Sequence, residues 1–211
     1  MTTVVPGVLP EPRIRRFVQL TVGLVLFGAS LALLVTADLG LDPWDVFHEG
    51  VSRTFDIRLG LVVVATSFVV LTLWIPIRQR PGLGTVMNAI LVGLVFEATI
   101  EVLPQEAPLG ARWLLLAAAI VVNAIATGMY VGAGLGPGPR DGLMTGIANR
   151  GYPIKVVRTA IEVAVLAAGW ALGGSVGIGT VIYAFGIGPL VHRTLPYFAI
   201  GKSAIDSTNS A

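Results

Sequence analysis

Along the chain, long uncharged apolar stretches alternate with short segments that gather the charges. Residues 17–37 carry no charge between Arg16 and Asp38, and residues 59–77 carry none between Arg58 and Arg78. A bilayer core takes about 20 apolar helical residues to cross, so each stretch predicts one spanning helix. A third is expected over 84–103, with Glu97 and Glu101 near its far end and a turn across 104–108. A fourth is expected over 113–132. The apolar stretch 154–194 is too long for one crossing and is interrupted by Gly173, Gly174 and Gly177, which predicts two helices joined by a tight turn. The expected fold class is therefore an all-α polytopic membrane protein with six transmembrane helices. Residues 1–211 form a single membrane domain, with 1–12 and 202–211 as disordered tails.

Composition agrees with this pattern. The chain is 55% hydrophobic and 12% charged, with a mean hydropathy of +0.83, whereas soluble domains carry about 25% charged residues. No separate catalytic or nucleic-acid module fits in what remains. The absence of cysteine removes disulfides and thiolate chemistry, and with two histidines, His48 and His192, no multi-histidine metal site is expected.

Basic residues concentrate in cytoplasmic connections, and alternate connections separate them here. Arg13, Arg15, Arg16, Arg78, Arg80, Arg140, Arg150, Lys155, Arg158, Arg193 and Lys202 fall on one side, against Arg53, Arg58 and Arg112 on the other. Both termini are thus expected inside. The isoelectric point near 9.3 reflects this topology and gives no reason to expect nucleic acid as a partner. The first apolar run follows arginines as in a signal sequence, with Val35-Thr36-Ala37 as a weak cleavage site. It is too long for a signal core, and the segment behind it recurs in the second half, so it is read as a retained helix.

That recurrence is an internal repeat. Residues 37–53 align without gaps on 133–149, matching Ala37, Leu39, Gly40, Pro43, Asp45 and Gly50 to Ala133, Leu135, Gly136, Pro139, Asp141 and Gly146. Residues 82–99 align on 177–194, where Gly-(Leu/Ile)-Gly-Thr recurs. The halves, 16–104 and 112–196, each contain three crossings, so the second must enter from the opposite face as an inverted repeat. Each half also has a short motif helix after its first span. Pro43 and Pro139 suit a first helical position, Asp42 or Gly138 the cap, and Asp45 and Asp141 the third position, favourable to the helix dipole. Ending near Ser52 or Asn149, such helices would be roughly 15 Å long, too short to cross. Trp44, Phe47 and Val51 give the first an apolar stripe.

The chain resembles the YczE-like branch of the YitT-type bacterial integral membrane proteins. The resemblance rests on Ala37-Asp38-Leu39-Gly40 with Pro43-Trp44-Asp45-Val46 and Gly50, and on Asp141-Gly142-Leu143-Met144 with Asn149-Arg150. It continues through Arg158 with Glu162 and from Gly173-Gly174 to Gly188-Pro189. It implies a small multi-pass protein of the bacterial cytoplasmic membrane and brings no activity with it.

Ionisable groups inside spans are costly and read as functional candidates. Glu162 would lie about 12 Å into its helix, near the midplane, with Arg158 one turn before it; a protonatable carboxylate in a solute path and a structural ion pair are both consistent readings. Glu97 is a weaker path candidate near the outer boundary, and His192, its repeat counterpart, reads as interfacial. Asn123 and Thr127 would line a polar path or bond neighbouring helices. Asp45 and Asp141 form a symmetric pair that serves as gate carboxylates or as dipole partners. Arg140 beside a helix start suits an anionic group, a topology signal or a lipid headgroup.

Gly134, Gly136 and Gly138 do not follow a strand, and Walker, HExxH and Ser/His/Asp arrangements are missing from the sequence, so neither an enzyme nor a cofactor is expected. The expected function is a small-solute transporter or permease with a midplane polar site. The alternatives are an accessory membrane protein assisting a partner complex, or a lipid-moving protein. The expected partners are the bilayer and a small solute or membrane protein, and a homodimer is a reasonable assembly.

Overall fold

The computed structural model describes residues 13–104 and 106–200; the expected disordered tails, 1–12 and 202–211, lie outside the described residues. All regular structure among these is helical: α1 (Arg13–Ala37), α2 (Pro43–Phe55), α3 (Leu59–Thr72), α4 (Trp74–Ile77), α5 (Leu83–Ile100), α6 (Leu109–Gly132), α7 (Pro139–Ala148), α8 (Ile154–Ala171) and α9 (Ile178–Phe198). Among the described residues, four helices are long and apolar enough to cross a membrane: α1, the run Leu59–Ile77 that joins α3 to α4, α5 and α6. α8 and α9 occupy the positions expected for the fifth and sixth helices. Lys155, Arg158 and Glu162 in α8, and the His192–Arg193 pair with interior Pro189 and Pro196 in α9, dilute their apolar character.

α1 and α6 form the central pair. They run antiparallel, since Arg16 donates to the Ala133 carbonyl at one end and Arg112 pairs with Asp38 at the other. A Cβ at Gly23 would stand 2.8 Å from the Tyr130 nitrogen, so these helices meet backbone to backbone. α5 flanks α1, α9 flanks α6, and Leu20, Leu24, Leu31, Val92 and Phe96 fill much of the core. α3 lies along α5, where Gly60 and Gly93 face one another. α8 instead packs on α2 and α7 and does not lie along α9.

The repeated motifs cross between the halves. Gly179 N–H donates to the Leu39 carbonyl at 2.7 Å, and Gly84 N–H donates to the Leu135 carbonyl at 2.8 Å. Gly40 and Gly136 sit at φ +108° and +118°, where a side chain is strained, and a Cβ on Gly40 would come within 2.5 Å of the Gly177 nitrogen. Thr85 and Thr180 each accept the N–H of the glycine that begins their helix, Gly82 and Gly177. Each Gly-x-Gly-Thr helix start is thereby docked into the connection that precedes the short helix of the other half.

Candidate functional site

The short helices begin as their sequences require. Pro43 occupies the first turn of α2, and Asp42 caps it, accepting the N–H of Trp44 at 2.8 Å and of Asp45 at 3.0 Å. Pro139 opens α7 behind Gly138. Their N-terminal turns meet inside the bundle. The Arg140 guanidinium reaches from α7 to within 3.6 Å of the Asp45 carboxylate and 3.4 Å of His48 Nδ1, and it lies 5.2 Å from the centre of the Trp44 ring. Asp45 is 1% exposed and His48 is 0% exposed, and the two are joined at 3.1 Å. Trp44 and Arg140 occupy equivalent positions in the aligned halves, so the repeat brings matching positions face to face.

Around this cluster, Trp74 Nε1 donates to the Pro139 carbonyl, pinning the start of α7 to α4. Tyr130 donates to Asp141. Asn123 is buried; it donates to Ser30 at 2.9 Å and accepts from Tyr183 at 3.1 Å, which ties together α1, α6 and α9. Thr127, one turn on, is half-buried. Among the described residues, three buried side-chain polar atoms have no hydrogen-bond partner, and all belong to the first turns of α2: Trp44 Nε1, Asp45 Oδ2 and His48 Nε2. Native interiors seldom leave such groups unmatched.

α2 lies outside the four candidate spans. There, burial together with the neighbouring Asp45 carboxylate pushes Asp42 up to about 7, against the opposing pull of Arg140. Burial also raises Asp45, again opposed by Arg140. Burial and Arg140 hold His48 well below the usual imidazole range, so its ring is neutral. Among the described residues, no group of three or more His, Cys, Asp or Glu is placed to hold a metal ion.

One turn beyond Asp45, Glu49 lines a polar depression of about 420 Å³ together with Asp38, Arg53, Glu101 and Arg112. The three basic residues that break the positive-inside pattern are all paired: Arg53 with Glu49, Arg58 with Glu97 and Glu101, and Arg112 with Asp38.

The structure separates several residues that the sequence had grouped. Glu162 and Arg158 do pair, at 3.0 Å, but their side chains are 36% and 58% exposed on α8, so the pair is not buried and Glu162 is not the centre of a sealed polar site. The reason is that α8 buries only Val157 and Gly169. Glu97 stands apart from the cluster: it accepts the Gly60 N–H at 2.6 Å and holds Arg58, joining the start of α3 to the end of α5. Trp44 and Asp45 meet Arg140 at the junction beside the Asp42 cap, with Pro43 opening α2, while Pro139 is held by Trp74 and Asp141 by Tyr130. Sequence reasoning did not single out His48, Tyr130 or Tyr183 as site residues. The i,i+3 spacing of His48 from Asp45 was the one available signal.

A family model described as "Family of unknown function (DUF6198)" matches residues 14–196. The chain belongs to this family. It is 36% identical over 185 residues to an uncharacterized protein of Haemophilus influenzae, covering 85% of each chain. It is 32% identical over 179 residues to the uncharacterized membrane protein YczE of Bacillus subtilis, covering 82% of each. The YczE-like resemblance is thus confirmed, and with the four apolar helices it identifies an integral membrane protein. No solved structure gives a significant match.

Proposed function

We propose that the protein is a small-solute transporter of the bacterial cytoplasmic membrane, built from two inverted three-crossing repeats with both termini in the cytoplasm. The single observation that carries this reading is the buried junction of α2 and α7, where charged groups and unpartnered polar atoms are gathered at a contact between the halves. A membrane protein bears the cost of burying such groups where they face a solute path, and inverted-repeat transporters place their sites at the repeat interface with helix N-termini directed into them. The exchanged Leu39–Gly179 and Leu135–Gly84 hydrogen bonds support the symmetry. α8 and α9 then supply the fifth and sixth crossings, with the Arg158–Glu162 pair reaching toward the inner boundary.

Ionisable groups also mark out a route. On this reading the depression lined by Glu49 is the outer entrance, and the Asp45–His48–Arg140 cluster, the Asp141–Tyr130 pair and the Arg158–Glu162 pair are the polar groups available to a path. Rocking of one half against the other would expose the junction to each side in turn.

The test is uptake into proteoliposomes of a panel of small amino acids, amides, amines and carboxylates, with Arg140→Gln alongside. Protein-dependent uptake of a panel member, lost in R140Q while the variant remains monodisperse, is the expected result. No uptake of any member, together with stoichiometric co-purification of another membrane protein, would overturn it in favour of an accessory role. The largely uncovered face of α8 is the observation that favours that second reading.

A further inference from the structure

We infer that Asp42 and Asp45 form a carboxyl pair that holds one exchangeable proton, making the α2–α7 junction a proton-binding site. This names the coupling ion of the proposed transporter, and its physiological role rests on that reading. The geometry stands by itself. Both side chains are buried, at 4% and 1% exposure, within the first turn of one helix. Asp42 Oδ1 is occupied by two backbone N–H groups. Asp45 Oδ1 is occupied by His48 and faces Arg140. Asp45 Oδ2 has no donor, and the 3.0 Å bond from the Asp45 N–H to Asp42 Oδ1 sets the two carboxyls side by side on one turn.

Charge balance points the same way. The groups facing the pair are His48 and Glu49 on α2, Arg140 on α7 and Tyr183 on α9. Glu49 has its own cation, Arg53, at 2.7 Å. His48 is neutral, and the Tyr183 hydroxyl donates to Asn123. Arg140 therefore balances one carboxylate and leaves the second uncompensated in the interior. A proton on Asp42 removes that charge and places an O–H donor beside Asp45, whose Oδ2 lacks one. Two carboxyls so placed titrate as a unit, taking up one proton between them. The elevated position of Asp42 agrees with this. Glu49, which lines the polar depression one turn from Asp45, gives the proton a way in.

The test is infrared difference spectroscopy of the full-length protein in lipid nanodiscs, between acidic and alkaline pH, in H₂O and D₂O. A carbonyl band of a protonated carboxylic acid, shifted in D₂O and titrating near neutrality, is expected in wild type and in Glu162→Gln. The band should be lost in both Asp42→Asn and Asp45→Asn. Asn keeps the α2 cap and offers an amide donor to Asp45, so D42N should remain folded by size exclusion. Absence of a titrating band in wild type, or its persistence unchanged in both Asn variants, would overturn the proton site. A band that behaves as expected in a protein that moves no panel solute keeps the site and removes the transport reading. Solute uptake without the band does the reverse.

Discussion

Arg140 reaches from the first turn of α7 to Asp45, His48 and the Trp44 ring, whereas Arg158 and Glu162 pair on α8 at partly exposed positions. Removing one member of a buried pair leaves the other desolvated and unmatched, which costs about 3–5 kcal/mol. Arg140→Ala is therefore expected to lower the melting temperature in detergent far more than Glu162→Gln, and equal losses in the two would contradict the placement of the junction. Arg140→Lys should recover only part of the loss, because an ammonium cannot spread over the Trp44 ring and Asp45 as a planar guanidinium does. Asp42 gives a pH signature. Its carboxyl moves from 3.8 when unfolded to about 7 in the fold, so its contribution to stability is fully present at low pH and is lost as pH rises through about 7. The difference in melting temperature between wild type and Asp42→Asn should accordingly shrink from about pH 4 to about pH 7 and level off above it. A flat difference would place the Asp42 proton elsewhere.

Helix boundaries follow from local chemistry. Pro43 with the Asp42 cap starts α2, Pro139 starts α7, and Thr85 and Thr180 close the first turns of α5 and α9, all at the positions the sequence marks. What the repeat does not reveal is how unequally its halves pack. A Cβ at Gly93 would stand 2.4 Å from the Gly60 carbonyl oxygen, fixing α5 against α3, whereas one at the equivalent Gly188 meets nothing within 4 Å. Inserting bulk into a closed helix contact costs about 1–3 kcal/mol or more. Gly93→Leu should therefore broaden and diminish the monodisperse peak in size exclusion, while Gly188→Leu leaves it intact. The reverse pattern would mean that α8 and α9 close on each other.

For the whole molecule, the natural absence of cysteine makes single-cysteine labelling clean. The proposed six crossings would put the exposed Thr54 and Glu106 outside and the exposed Arg80 and Asn149 inside. Cysteine at the first two positions should react with an impermeant maleimide in intact spheroplasts, and at the last two only after permeabilisation. Reaction of Asn149→Cys from outside would remove the inverted arrangement of α7.

The long apolar helices, the short motif helices and the repeat were readable from residue order, though not the break at Leu73 that divides 59–77 into α3 and α4, because hydrophobic run length, the fixed φ of proline and capping act over a few neighbouring positions. The junction was not readable in that way. His48 and His192 are the chain's two histidines, yet one is sealed beside Asp45 and the other is exposed. Glu97 and Glu162 both sit in apolar stretches, yet one braces α3 against α5 and the other pairs with Arg158 within its own helix, partly exposed. Such outcomes depend on which helix comes to lie alongside. Arg140 meets His48 across 92 positions of sequence, a contact that exists only because α1 and α6 pack antiparallel and bring the two short helices together by their N-terminal turns.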